Sequence, residues 1–244
     1  MMAIKAFVDF DGTITKRDVG NAFFYRYVGR PLYDQLLEEY KTERISAQEC
    51  FYKGIVAIGS IDREGAATFV RSQEIDPSFK EFVVFCREKG IEFHVLSDGL
   101  DFYINEIFAE NGIEGVSVFS NALEFVSAGG SNMHELRIRF PHADAECERC
   151  ACCKRNIMVT RSSDDDIIVY VGEGYSDQCP AQYADIVFAK EMLQSFCQQQ
   201  NISYYLYGSF HDVVERLNIL LSKKKPRKRL AAQTKRNELF MREP

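Results

Sequence analysis

The stretch Phe7-Val8-Asp9-Phe10-Asp11-Gly12-Thr13-Ile14 decides how this chain reads. Ala6, Phe7 and Val8 form an apolar run of the kind that makes a buried strand. The run ends abruptly in two carboxylates, two residues apart, followed by Gly-Thr. Two acids at the mouth of a buried strand are costly unless they are paired or bound to a cation. Opposite a phosphate they make chemical sense: one can attack as a nucleophile while the other gives and takes a proton. A divalent cation would cancel their repulsion from an anionic substrate. Asp-x-Asp-Gly also opens calcium loops, which need a Glu at the twelfth loop position and helices on both sides. Counted from Asp9, that position is Gly20, and a strand precedes the motif. A plain strand-to-loop turn at Asp11-Gly12 is the remaining alternative.

Outward from this strand, helical and strand patterns alternate, which predicts an α/β fold with a parallel sheet covered on both faces. Residues 18–75 read as helical throughout. Ser46 and Glu49 form a capping box, and Asp62 has the chemistry of an N-cap. Asp76-Pro77 is expected to start the next helix, which Gly90 ends. Strands are expected at Ile91–Leu96, Ile167–Val171 and Ile186–Ala189. Residues 116–140 alternate and break at Ala128-Gly129-Gly130-Ser131-Asn132, the pattern of a small β-hairpin. Helices near 101–111, 154–163, 190–200 and 210–222 complete the chain. The expected architecture is a Rossmann-like parallel sheet built from residues 1–15 and 76–222, with the hairpin inside it. Residues 16–75 form an inserted all-helical cap, and residues 223–244 a basic, flexible tail.

In open parallel sheets, ligands bind beyond the carboxyl ends of the strands. Three such ends carry polar residues: Asp9 and Asp11, then Ser97, then Glu173 with Ser176 and Asp177; Lys154 starts a helix between the last two. Acids, a hydroxyl and a lysine at one sheet edge suit phosphoryl transfer, which needs positioning and charge stabilisation above all.

Asp9-Phe-Asp11-Gly-Thr, Ser97 after a strand, Lys154 and Gly172-Glu-Gly-x-Ser-Asp177 resemble, in this order, the four motifs of the haloacid dehalogenase superfamily. The resemblance covers residues 3–222, and the helical insertion is similar to the cap of the phosphoserine-phosphatase-like branch. Cys153-Lys154 after Cys152, Ser176-Asp-x-Cys-Pro180 and Ala184-Asp-x-Val-Phe-Ala-Lys190 resemble the methionine-salvage group, the 2-hydroxy-3-keto-5-methylthiopentenyl-1-phosphate phosphatase-like proteins. The resemblance implies a phosphate monoester hydrolase with Asp9 as nucleophile, passing through an aspartyl phosphate. Asp11 would be the general acid and base, and Lys154 would offset the developing charge. Ser97, Asp98, Gly12 and Thr13 would surround the phosphate. Mg²⁺ would be held by Asp9, the Asp11 carbonyl, Glu173 and Asp177. Such families usually have Asp where Glu173 stands; the longer side chain keeps the carboxylate but alters its reach to an ion that is strict about geometry. Asp18 falls where a phosphoserine phosphatase places a Glu near the substrate amine, and it is also a fair N-cap. With no clear arginine in the cap to grip a carboxylate, the expected substrate is a small phosphorylated metabolite, sugar-like or keto-alcohol in character.

Composition is consistent with this. Hydrophobic residues make up 46% of the chain and charged residues 27%, the balance of a globular protein with a sizeable core. No stretch approaches the roughly 18 apolar residues of a membrane span. The chain opens directly into a strand, so no secretory signal is expected, and eight cysteines then imply reduced thiols and a cytoplasmic location. Cys147, Cys150, Cys152 and Cys153 invite a zinc or redox reading. Two overlapping Cys-x-x-Cys pairs sharing Cys150 do not make two zinc knuckles, and ordinary thiols are expected. The net charge of −6 conceals a basic C-terminus, with Lys223, Lys224, Lys225, Arg227, Lys228, Arg229, Lys235 and Arg236 and no acid between 223 and 236. Such a tail could meet a polyanion, but a solvated end is the commoner case, and nucleic acid is not expected as a partner. The sequence leaves monomer and dimer open. Two rival functions remain: a phosphotransferase on the same fold, and a catalytically weakened phosphate-ligand or polyanion-binding protein.

Overall fold

The computed structural model describes residues 3–127, 132–145, 147, 149–222 and 226–241. In chain order the elements are β1 (Ile4–Val8), α1 (Val19–Tyr27), α2 (Arg30–Lys41), α3 (Ala47–Ile58), β2 (Ser60–Asp62), α4 (Arg63–Arg71), α5 (Phe79–Lys89), β3 (Glu92–Leu100) and α6 (Asp101–Glu110). There follow β4 (Ser117–Ser127), β5 (Met133–Arg139), α7 (Lys154–Thr160), β6 (Ile167–Gly172), α8 (Gln178–Ala181), β7 (Ile186–Ala189), α9 (Glu191–Gln199), β8 (Tyr205–Leu206), α10 (Phe210–Ser222) and α11 (Leu230–Phe240). The strands form one mixed sheet in the order β2-β5-β4-β3-β1-β6-β7-β8. None of the helices is long and apolar enough to cross a membrane, among the described residues.

Two compact units divide the chain. The first comprises Met1–Ile14, Ile75–Leu96 and Lys154–Pro244. Its strands β3, β1, β6, β7 and β8 all pair in parallel, with Val8 opposite both Val95 and Val171. β6 (Ile-Ile-Val-Tyr-Val-Gly) and β7 (Ile-Val-Phe-Ala) are buried at every position, the continuous apolar run of a strand covered on both faces. Phe79, Phe82, Phe93 and Phe210 pack ring on ring between helix and sheet. Asp76 does not cap a helix at Pro77 as its sequence suggests. Its carboxylate accepts from the N–H groups of Ser78 and Phe210, and α5 begins two residues later with Ser78 at the N-cap. One carboxylate oxygen serves the local donor and the other the distant one. β8, two residues long, gives too short a pattern to read in sequence.

The second unit comprises Thr15–Glu74 and Ser97–Cys153. The capping box Ser46–Glu49 and the Asp62 N-cap form as their spacing implies. The insertion is not all-helical: β2 pairs antiparallel with β5, Ile61 opposite His134. β4 and β5 form the hairpin, Leu123 opposite Ile138; its turn at 128–131 lies outside the described residues. The segment 97–153, expected in the core, groups with 15–74.

Residues 226–241 are also not a loose tail. Lys223–Lys225 lie outside the described residues, but Leu230–Phe240 is helical and packs in the first unit. Arg236 is buried against Asp185, and the Arg229 guanidinium donates to the carbonyls of Ala181 and Gln182. The basic run therefore serves partly as specific donors rather than as a solvated charge cloud.

Candidate active site

β1 delivers Asp9 at its carboxyl end, and the Asp9 N–H donates to Val171 O at 2.9 Å, fixing it to β6. The next turn closes when Thr13 and Ile14 donate their N–H groups to Phe10 O, at 3.3 and 2.9 Å. Gly12 sits in that turn at φ +70°, and a Cβ there would lie 2.8 Å from Glu173 Oε1. The backbone angle favours glycine, and a Cβ would also displace the Glu173 carboxylate from its present place.

Lys154 opens α7 and is 1% exposed. Its Nζ donates to Asp9 Oδ1 at 2.6 Å and to Asp177 Oδ1 at 2.7 Å. The phenol of Tyr170 donates to the same Asp177 Oδ1 at 2.5 Å, and the N–H groups of Glu173 and Gly174 donate to Oδ2 at 2.9 and 2.8 Å. A carboxylate offers about four acceptor positions, and at Asp177 all four are taken. Asp177 is therefore a holder of Lys154 and of the Glu173 loop, not the direct metal ligand its position in the motif suggests. It also stands at the N-cap of α8 without capping it by its side chain, since its oxygens point elsewhere. Thr13, expected against the phosphate, donates its hydroxyl to Asp9 Oδ2 at 3.0 Å.

One buried ammonium among several carboxylates leaves the cluster too negative. Burial, then repulsion from Asp177, pushes the Asp9 carboxyl up from 3.8 to about 8, with Lys154 opposing. Burial, then Asp9 and Asp177, raises Glu173 to about 7. Burial works against the charge of Lys154, yet Asp177 and Asp9 outweigh it and hold the ammonium well above its ordinary value. The residues fit a hard divalent cation. Two oxygen-bearing side chains, Asp9 and Glu173, destabilise each other without a positive charge, and oxygen donors of this kind suit Mg²⁺. No group of three or more His, Cys, Asp or Glu side chains forms a ready metal cage, among the described residues.

The remaining expected residues belong to the second unit. Ser97 is fully buried, and its Oγ accepts from Gly99 N–H at 3.0 Å. Asp98 has scaffolding contacts in place of the expected phosphate contact. Its Oδ1 accepts from Cys152 N–H at 2.7 Å and its carbonyl accepts from Asn121 Nδ2 at 2.6 Å. A second anion would in any case repel phosphate. Asp18 is the N-cap of α1, with Oδ1 accepting from Asn21 N–H and Oδ2 from Asn21 Nδ2, both at 2.6 Å.

Two site residues escaped the sequence reading. Tyr170 carried one usable signal: a phenol inside an otherwise apolar buried strand must find a partner. Tyr207, after β8, carried none.

Residues 4–203 match the family model described as Putative Phosphatase. A 2-hydroxy-3-keto-5-methylthiopentenyl-1-phosphate phosphatase of Geobacillus kaustophilus is 32% identical over 214 residues, covering 86% of this chain and 94% of that protein. One from Geobacillus thermodenitrificans is 31% identical, covering 88% and 95%. Among solved structures, a haloacid dehalogenase family hydrolase from Salmonella enterica serovar Typhi superposes with TM-score 0.67 at 16% identity, covering 92% of this chain and 73% of that one. The phosphoserine phosphatase of T. onnurineus gives 0.62 at 19% identity, covering 88% and 94%. At these identities the structures speak for the fold, and the family match and the relatives speak for the activity. The chain belongs to the Putative Phosphatase family and is a phosphatase on the haloacid dehalogenase fold.

Proposed function

We propose that this protein hydrolyses the phosphate ester of a small keto-alcohol or sugar-like metabolite through an aspartyl phosphate on Asp9, with Mg²⁺ as cofactor. The observation that carries this reading is Lys154, buried and bridging Asp9 and Asp177 at 2.6 and 2.7 Å. A buried cation touching a strand-end carboxylate holds that carboxylate in place and waits for further negative charge. In the first half-reaction a carboxylate oxygen of Asp9 bonds to phosphorus and the ester P–O bond breaks. Asp11 gives its proton to the departing alkoxide. In the second, Asp11 takes a proton from water, the water oxygen attacks phosphorus, and Asp9 leaves as carboxylate. Lys154 offsets the charge that builds on the transferring group, and the Thr13 hydroxyl keeps Asp9 from turning away. Ser97 is the phosphate-oxygen donor that the motif resemblance implies. Mg²⁺, held by Asp9, the Asp11 carbonyl and Glu173, would neutralise the phosphate and the crowded acids.

The keto-alcohol assignment rests on the named activity of the relatives and on Asp18. That carboxylate is spent on the start of α1, which disfavours the amine grip a phosphoserine phosphatase needs. A cytoplasmic location remains the expectation from the thiols. The test is phosphate release from a panel of monoesters that includes 2-hydroxy-3-keto-5-methylthiopentenyl-1-phosphate, phosphoserine and simple sugar phosphates, with MgCl₂. Turnover preferring the keto-alcohol ester supports the reading. Transfer of phosphate to added alcohols in place of free phosphate would make the protein a phosphotransferase.

A further inference from the structure

We propose that Tyr207 is a positioning residue that clamps the Asp9 loop to the Glu173 loop through its hydroxyl, a role that rests on the phosphatase reading above. Tyr207 lies past residue 203, where the family match ends, and 3% of its surface is exposed. Its phenol donates to Gly172 O at 3.3 Å, on the residue that precedes Glu173. The same phenol is hydrogen-bonded to the Thr13 side chain. Thr13 in turn donates to Asp9 Oδ2 at 3.0 Å. Thr13 has a single hydroxyl proton, and that proton is on Asp9. The Thr13 hydroxyl therefore joins the Tyr207 phenol to the nucleophile's carboxylate.

The ring has a separate task. Lys190 Nζ lies 5.0 Å from its centroid, within cation–π reach. Lys190 is also the charge that opposes the repulsion at Glu173. One aromatic side chain thus fixes a hydroxyl to the nucleophile's loop and an ammonium to the fourth-motif acid. Its backbone is itself held on both sides. Before it, β8 pairs with β7, Ala189 opposite Leu206. After it, Asp212 Oδ2 accepts from the N–H groups of Gly208 and Ser209 at 2.8 and 2.9 Å. A side chain anchored in this way can hold two flexible loops in register, and sub-ångström placement of a nucleophile is worth large factors in rate.

The experiment is a double-mutant cycle on Tyr207→Phe and Thr13→Val, read as kcat and KM for p-nitrophenyl phosphate with MgCl₂. Phe keeps the platform under Lys190 and removes only the hydroxyl. Tyr207→Phe is expected to lower kcat about tenfold, the worth of one buried hydrogen bond misplacing a reacting group, with KM nearly unchanged. The double variant should be no slower than Thr13→Val alone, because both changes break one chain of bonds. Wild-type kcat in Tyr207→Phe, or effects that multiply, overturns the clamp. Asp9→Asn separates this from the parent reading: hydrolysis surviving in that variant sinks the aspartyl mechanism, whereas an intact Asp9 requirement beside a silent Tyr207→Phe sinks only the clamp. Should wild type not turn over the ester, the cycle is read on urea unfolding of the same four proteins, where additive effects refute the coupling.

Discussion

Two buried carboxylate clusters in the first unit are built from the same parts and come out opposite. At Asp185, every oxygen meets a donor that matches it. Oδ2 accepts from Ile168 N–H at 3.0 Å, and Oδ1 accepts from Arg229 N–H and from Arg236 Nη2, both at 3.1 Å. The rest of the Arg236 guanidinium is spent on the carbonyl of Tyr183. At Asp9, a single ammonium is shared with Asp177, while Asp11 and Glu173 add negative charge that Lys154 and Lys190 offset only in part. The first cluster is closed and structural. The second is open in charge, and an open buried charge persists only where something binds to close it.

The largest break in this comparison is Asp9→Asn. It should reduce phosphate release by at least about a thousandfold, the size of effect seen when a nucleophile is removed. The folded protein should survive, because the change relieves repulsion instead of creating it. Lys154→Met does the reverse. It leaves Asp9 and Asp177 buried with no cation, and loss of one partner of a buried pair costs about 3–5 kcal/mol. Urea unfolding reads this directly. A variant as stable as wild type would show that the cluster's acids are already neutral without Lys154.

The sheet was legible because its pattern is local. The buried parallel strands are apolar runs, and two of them are closed by an acid or a glycine, at Val8-Asp9 and Val171-Gly172. The candidate acids of the β1 end stood out for the same reason, since a carboxylate at a strand end contradicts its surroundings. What could not be read were choices made by distant partners. Asp177 looks like a ligand in sequence and becomes a holder because Tyr170 and two N–H groups reach it first. Asp76 keeps Ser78 N–H on one oxygen and gives the other to Phe210, 134 residues away. The basic tail looks solvated until Asp185 and three carbonyls are placed beneath it. Charge patterning says how many donors a segment carries, not whether acceptors wait for them.

A smaller effect tests the closed cluster. Arg236→Met should cost about 2 kcal/mol, because Asp185 keeps its two N–H donors but loses its cation. The kcat should stay near wild type, since Arg236 touches neither Asp9 nor Glu173. A large loss of activity at unchanged stability would show that α11 acts on the site and would erase the contrast between the clusters.

The last effect separates the two clusters by pH alone. In the metal-free protein the folded carboxyl of Asp9 is raised from 3.8 to about 8 and that of Glu173 from 4.5 to about 7. A raised carboxyl contributes stability that is complete below its unfolded value and is lost as pH climbs through the folded one. Metal-free wild type should therefore lose stability between about pH 5 and pH 9. Asp9→Asn should flatten much of that decline and melt above wild type at the alkaline end, whereas Arg236→Met should fall in parallel with wild type. Each kcal/mol corresponds to about 2–4 °C for a chain of this size, so differential scanning calorimetry in chelator resolves the divergence. Added MgCl₂ should raise the melting temperature more at the alkaline end, because at low pH the cation must first displace protons from Asp9 and Glu173. Parallel curves for wild type and Asp9→Asn would mean that the acids at the end of β1 are no more strained than Asp185, and that the open cluster is closed after all.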